Sequence, residues 1–469
     1  MSNASFDFGM IGLGTMGRNL LLNVADHGFA AIGFDKDITK GQLLESSAAA
    51  GTRVKGVSTL ADLVSHLKAP RKIMMLVPAG APVDAVIKEV LPLLTKGDII
   101  IDGGNSHFTD TLRRIDELKD TGIHFIGMGV SGGEKGARRG PSIMPGGDIA
   151  AWKELKPVLE AISAKVNNEP CVAYMGKNAA GHYVKMVHNG IEYAIMQIIS
   201  EVYDFMKRGL GMSNAAMHEV FKSWNEGELQ SFLVEITAAL LPKKDDKTGG
   251  YLTDVILDKA GSKGTGKWTS QEAMDLPVPL PTIDMAVTMR DLSGYKAERV
   301  EAAALYKPVV KSFATGKDKL VKQLGDALYL SSLLCYAQGL AMLHKASGER
   351  QMDIPLKDVV KIWRGGCIIR SAQLELFTAA FKKRNAPANI LLDKKIASLV
   401  KKKQAGLRRI VQQYAAARIP AAGLMSALAY LDAYTSDRMP TNIIQAQRDY
   451  FGAHTYQRID AEGSFHTAW

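Results

Sequence analysis

The chain has 469 residues, of which 46% are hydrophobic and 23% charged, with a formal net charge of +10. That length predicts two or three globular domains, while three scattered cysteines, Cys171, Cys335 and Cys367, exclude a disulfide framework or zinc cluster, so no metal site is expected. Residues 328–343, the longest apolar run, are interrupted by Ser331, Ser332 and Gln338 and fall short of a membrane span. The cations crowd into residues 382–403 with little aromatic interleaving, which argues against nucleic acid.

Met1 leads almost directly into a strand pattern at residues 6–11, with no stretch for an export leader, so a cytoplasmic location is expected. Gly12-Leu13-Gly14-Thr15-Met16-Gly17 follows, and residues 18–25 read as an amphipathic helix. Strand, glycine turn and helix in this order form a dinucleotide fingerprint: Gly12 permits the tight turn, Gly14 lets the backbone approach a pyrophosphate, and Gly17 lets helix and strand pack closely. A second strand at residues 30–34 ends in Asp35, where an acid grips the adenosine ribose. A carboxylate there repels the extra phosphate of NADP; Asp37 adds to the repulsion and Lys36 opposes it. NAD is therefore the expected cofactor, with NADP as a weaker or dual one.

Strand patterns at 72–77 and 98–102 flank a helix pattern at 83–94, and the alternation predicts a Rossmann-type, doubly wound parallel sheet. Ligands of such sheets lie beyond the carboxyl ends of the strands. Val77-Pro78-Ala79, Asp102-Gly103-Gly104-Asn105 and Val130-Ser131-Gly132-Gly133 all fall there. Gly103 and Gly104 clear space for Asn105, while Ser131, Gly132 and Gly133 can offer a hydroxyl and backbone amides to a carboxylate.

After residue 179 helical patterns replace strand patterns as far as residue 439. Lys185, His188, Asn189 and Glu192 stand at i, i+3, i+4 and i+7, on one polar face of a helix whose other sides carry Val184, Met186, Val187, Ile191 and Ile195. Such a face is either a satisfied lysine–glutamate pair in a helical core or a set of proton-transfer groups. Pro440 opens a C-terminal tail, residues 440–469, too polar for a core of its own and expected to dock elsewhere.

The fingerprint, the Asp-Gly-Gly-Asn loop, the Ser-Gly-Gly loop and Gly181-x-x-x-Lys185 together resemble the β-hydroxyacid dehydrogenase superfamily. Within it, Met128 to Gly147, Gly181 to Tyr193, Lys263-Gly-Thr265-Gly-Lys-Trp268, Trp363-Arg-Gly-Gly-Cys-Ile-Ile-Arg370 and Gln445 to His454 resemble the decarboxylating 6-phosphogluconate dehydrogenases over essentially the whole length. The resemblance implies three parts: a dinucleotide-binding domain at 1–178, an all-helical substrate and dimerisation domain at 179–439, and an extended tail that enters the neighbouring subunit's active site. It also implies oxidation of 6-phospho-D-gluconate to D-ribulose 5-phosphate and carbon dioxide, the chemistry of the pentose phosphate pathway and of gluconate utilization. In that family a lysine and a glutamate move the protons, and Lys185 and Glu192 match them. For the substrate, Asn105 and Ser131 to Gly133 would hold the carboxylate and His188 and Asn189 the hydroxyls. Tyr193, Lys263, Thr265 and Arg290 would hold the phosphate, and Arg448 and His454 would come from the partner of a homodimer. Members that use NADP carry Asn-Arg-Thr where Asp35-Lys36-Asp37 stands, and commonly a lysine at Pro78, which also favours NAD.

Two rivals remain. A reductase of small unphosphorylated β-hydroxyacids shares the glycine loops and Lys185, but has no use for the Lys263 loop, Arg290 or the tail cations. A non-catalytic NAD-sensing or RNA-binding protein would retain the fold without turnover, and the intact Lys185 and Glu192 pair argues against it.

Overall fold

The computed structural model describes residues 5–469, so the lead-in from Met1 lies outside the described residues. Seven strands form one sheet: β1 (Phe8–Ile11), β2 (Ala31–Phe34), β3 (Val54–Val57), β4 (Lys72–Met75), β5 (Ile99–Asp102), β6 (His124–Ser131) and β7 (Ser142–Gly147). Their order is β3-β2-β1-β4-β5-β6-β7. Strands β1 to β6 are parallel and β7 returns antiparallel to β6, with Ser131 opposite Ser142. The expected parallel sheet therefore carries one antiparallel edge. Helices α1 (Thr15–Asp26), α2 (Ile38–Ser46), α3 (Leu60–His66), α4 (Ala81–Val90), α5 (Phe108–Leu118), α6 (Gly133–Arg139) and α7 (Ile149–Ile162) cover it. Two apolar clusters, one on each face, explain why Met10, Ile32, Ile73, Ile100 and Ile126 are all fully buried and why the strands read as apolar runs rather than alternating ones.

The carboxyl ends of β1, β2, β4, β5 and β6 share one rim. Gly12 N–H donates to the Phe34 carbonyl at 2.9 Å, Leu76 N–H to that of Ile11 at 2.8 Å, and Gly103 N–H to that of Met75 at 3.0 Å. Chain order reverses at β1, whose neighbours are β2 and β4, so the glycine turn sits at the switch point where such sheets bind ligands.

The chain leaves the sheet through α8 (Ala180–Asp204), 25 residues long, which crosses β6 and β7. Contact is backbone to backbone: a Cβ on Gly181 would lie 2.1 Å from the Gly127 carbonyl oxygen, and one on Gly129 would lie 2.4 Å from Lys185 Cβ. Only glycine at both positions lets the helix lie that close, and the closeness sets Lys185 over the end of β6. A helical layer with a single large core follows, built on α8 and the 33-residue helix Lys317–Glu349. No described helix is long and apolar enough to cross a membrane. The tail is not wholly extended. It holds a 12-residue helix, Thr441–Gly452, and a fold-back pairing Tyr456 with Phe465. All hydrogen bonds found for described residues of the tail stay within it, several converging on the fully buried Asp449.

Candidate active site

The rim opens beside β1 into a crevice of about 350 Å³ lined by Gly12, Gly14, Asp35, Lys36, Val77 and Pro78 among others. A Cβ on Gly12 would meet the Leu76 carbonyl oxygen at 2.6 Å, and one on Gly17 would meet that of Gly12 at 1.9 Å. A Cβ on Gly14 would meet nothing within 4 Å, and no side chain caps α1 there. The open first turn of α1, with Thr15 and Met16 behind Gly14, thus presents free N–H groups and its positive dipole end to the crevice, which fits a pyrophosphate.

Asp35 is more occupied than its sequence position suggests. Its carboxylate accepts from Leu13 N–H at 2.8 Å, Asp37 N–H at 3.0 Å and Lys40 Nζ at 3.1 Å. Burial pushes its pKa up, but these donors outweigh that and hold it below the ordinary value. Asp37 caps α2 through Thr39, and Lys36 lies 3.6 Å from Glu89. Sequence reasoning missed both Lys40 and Glu89. Lys40 sits in the first turn of α2, and its spacing from Asp35 carries no signal until the strand-to-helix turn brings the two together.

The polar face of α8 forms a second cluster. Lys185 is 7% exposed and donates to Asn189 Oδ1 at 2.8 Å; His188, fully buried, has Nδ1 3.0 Å from the same oxygen and Nε2 3.3 Å from Ser131 Oγ. Glu192 lies 3.8 Å from His188 Nδ1, and Lys185 is bonded to Asn189 rather than to it. Burial lowers the Lys185 pKa, against the opposing pull of Glu192 and Cys367. Burial raises that of Glu192, against Lys185 and Arg290. Both shifts run in the direction that makes lysine a base and glutamate an acid near neutrality. Burial, with Lys185 beside it, also holds His188 well below its ordinary value and so neutral.

Ser131 is buried at the end of β6, and Gly132 (φ +121°) packs where a Cβ would lie 2.6 Å from the Gly366 carbonyl oxygen. Gly133, with φ +62°, opens α6, and Asn105 is exposed on the β5 loop. Behind them Trp363 stacks edge-on to His188 at 5.8 Å. Arg290 lies with its guanidinium 3.6 Å from the Tyr193 ring centroid and bonds the Gly261 carbonyl at 3.2 Å. Thr265 begins the helix Thr265–Asp275, against which Tyr193 packs at Gly266, while Lys263 is exposed just ahead of it. Tyr193, the residue after Glu192 on α8, thus has Arg290 over its ring and the start of the Thr265 helix packed against it. Arg448 and His454 are not: within one protomer Arg448 bonds Gln445 and His454 packs on Phe451.

The sequence model for the NAD binding domain of 6-phosphogluconate dehydrogenase matches residues 7–176, and that for the 6-phosphogluconate dehydrogenase C-terminal domain matches 181–469. The chain belongs to the 6-phosphogluconate dehydrogenase family. A Lactococcus lactis subsp. lactis relative, named 6-phosphogluconate dehydrogenase, decarboxylating, is 50% identical over 468 residues, 99% of each chain. A Bacillus subtilis relative, named NADP(+)-dependent and decarboxylating, is 50% identical over 462 residues, 98% of each chain. The solved Plasmodium falciparum 6-phosphogluconate dehydrogenase, described apo, with its cofactor NADP+ and with its substrate 6-phosphogluconate, superposes with a TM-score of 0.96 at 43% identity, covering 99% of this chain and 100% of that one. The family thus spans the whole α/β and helical architecture, including the tail, and the two-cluster rim lies inside both matched regions.

Proposed function

We propose that the protein oxidises and decarboxylates 6-phospho-D-gluconate, giving D-ribulose 5-phosphate and carbon dioxide. One observation carries this: a buried lysine of lowered pKa and a half-buried glutamate of raised pKa stand two turns apart on one helix face at the rim. Full-length likeness to relatives named for that reaction supports it.

Bound dinucleotide supplies the hydride acceptor. Neutral Lys185 takes the proton of the hydroxyl on the third carbon as that carbon is oxidised, leaving a 3-keto acid. Protonated Lys185 then donates to the new carbonyl oxygen and stabilises the charge that develops as carbon dioxide departs. Glu192, whose pKa burial raises, delivers a proton to the carbon that lost carbon dioxide. Asn189 orients Lys185, and neutral His188, bridging Asn189 and Ser131, keeps a second cation away from it. Asn105 and Ser131 to Gly133 take the substrate carboxylate. Tyr193, Lys263, Thr265 and Arg290, joined by Arg448 and His454 of a second subunit, take the phosphate. Exposed Ile443, Ile444, Tyr450 and Phe451 on the tail and Leu305, Tyr306 and Val309 on the body support a homodimer through the tail. The division at 178/179 and 439/440 belongs to the same reading.

NAD is proposed as the preferred dinucleotide. Three carboxylates, Asp35, Asp37 and Glu89, face two lysines, Lys36 and Lys40, at the adenosine end, and among the described residues no arginine lines the crevice. Specificity constants for 6-phosphogluconate with NAD and with NADP, measured side by side, test both parts. A higher constant with NAD is expected; a higher one with NADP overturns the cofactor preference, and turnover only with 3-hydroxyisobutyrate or another unphosphorylated acid overturns the substrate.

A further inference from the structure

Behind the rim lies a buried charge cluster that the chemistry above does not use. Arg114 on α5 is 1% exposed, yet its guanidinium reaches three separate elements. Nε donates to Asp84 Oδ1 of α4 at 2.7 Å, Nη2 to the Gly80 carbonyl at 3.1 Å, and Nη1 to Asp102 Oδ2 at the end of β5 at 3.2 Å. Asp102 is itself fully buried. Its Oδ1 accepts from Gly104 N–H at 3.0 Å and its Oδ2 also accepts from Ser106 Oγ at 2.6 Å, and so its carboxylate fixes the loop that carries Asn105. The Asp102 carbonyl oxygen is 3.0 Å from His182 Nε2. A carbonyl only accepts, so Nε2 carries the hydrogen and Nδ1 accepts from Thr111 Oγ1 at 2.7 Å. His182 lies one turn before Lys185 on α8.

A cluster of this kind is poor value as core filling, because taking a guanidinium and a carboxylate out of water offsets most of their attraction and apolar side chains would pack as well. What it does supply is fixed geometry. A rigid fork joins the loop 77–80, which borders the dinucleotide crevice, to the Asn105 loop and, through Asp102 and His182, to the turn that carries Lys185.

We propose that Arg114 is a positioning residue that couples dinucleotide binding at the 77–80 loop to 6-phosphogluconate binding at Asn105 and Lys185, acting through Asp102 and His182. The coupling rests on the substrate reading given above. A ligand that settles against residues 77–80 moves or stiffens the Gly80 carbonyl and Asp84, both held by Arg114, and the same guanidinium holds Asp102. Binding at one side therefore changes the cost of ordering the other.

Calorimetric titration of the full-length enzyme with 6-phosphogluconate, with and without saturating NADH, reads the coupling as a ratio of dissociation constants. The wild type is expected to show a factor of about five or more. Arg114→Lys, which keeps the charge but loses the fork, is expected to bring the ratio toward one while each ligand alone binds within about threefold of wild type. Asp84→Ala alters a partly exposed partner of the same guanidinium and is expected to lower the ratio too, so the proposal stands or falls on it should Arg114→Lys fail to fold. A folded variant that keeps the wild-type ratio, or a wild-type ratio near one, overturns the coupling alone. Failure of the wild type to bind 6-phosphogluconate at all overturns the substrate reading and the coupling together.

Discussion

Lys185 and Glu192 set each other's working range. A base must be neutral, so kcat/KM rises with pH through the Lys185 pKa and levels above it; burial moves that limb down from the ordinary lysine value of 10.5. The Glu192 carboxylate pulls the other way, so Glu192→Gln is expected to shift the acid limb of the residual activity to still lower pH. A limb that stays in place or moves up in a pH–rate profile would remove Glu192 from Lys185's surroundings. Lys185→Ala is expected to lower kcat/KM by about a hundredfold to ten-thousandfold, the usual contribution of a general base. Near-wild-type initial rates would take the lysine out of the chemistry.

At the scale of elements, the catalytic helix owes its place to glycine. Gly181→Ala puts a methyl group 2.1 Å from the Gly127 carbonyl oxygen, where backbone must shift, and is expected to cost about 1–3 kcal/mol or more in denaturant unfolding. An unchanged midpoint would mean that α8 can lift from the sheet freely. The tail offers a second test. Burial raises the Asp449 pKa, but His466, Thr467 N–H, Trp469 and Thr455 N–H outweigh it and hold the carboxyl at about 2. A depressed carboxylate stabilises above its ordinary 3.8 and loses that as pH falls through the folded value, so at neutral pH the clasp is fully formed. Asp449→Asn is expected to make the bond after Arg458 cut faster by trypsin than in wild type, and equal cleavage rates would show that Asp449 does not organise the tail.

What could be read along the chain follows the same division. Strand β1, the glycine turn and the polar face of α8 announce themselves because each is local: a periodicity or a spacing within a dozen residues. Strand β7 was hidden by Pro145, Gly146 and Gly147, which look like a turn yet form the antiparallel edge against β6. Strand β3 is a four-residue, half-buried edge, Val-Lys-Gly-Val, with too few apolar positions to stand out. The helix Thr441–Gly452 lies in a stretch whose polarity suggested only an extended tail. Lys40 reaches Asp35 only through the turn between β2 and α2, and Arg114, His182 and Gly366 reach the site through tertiary contacts, which no spacing encodes.

For the whole molecule, one protomer leaves Arg448 and His454 away from the cluster they are proposed to complete, with large apolar side chains exposed beside them. If each site takes its last cations from a second copy, Lys185→Ala and His454→Ala subunits, each crippled alone, should regain activity when unfolded and refolded together. Mixed dimers would hold one intact site, made from the His454→Ala body and the Lys185→Ala tail. No recovery in the mixture, or full activity of a species that sediments as a monomer, would contradict this assembly. Recovery would also explain why, among the described residues of a protomer, the tail bonds only to itself.

Oxidation and loss of carbon dioxide are proposed to occur on one substrate at one site. The most direct measurement uses 6-phosphogluconate labelled with carbon-13 at its carboxyl carbon, following labelled carbon dioxide and reduced dinucleotide together from the first turnovers. One labelled carbon dioxide for each reduced dinucleotide is the predicted result. Dinucleotide reduction that leaves the label in the acid, or no reduction with either NAD or NADP, would contradict it.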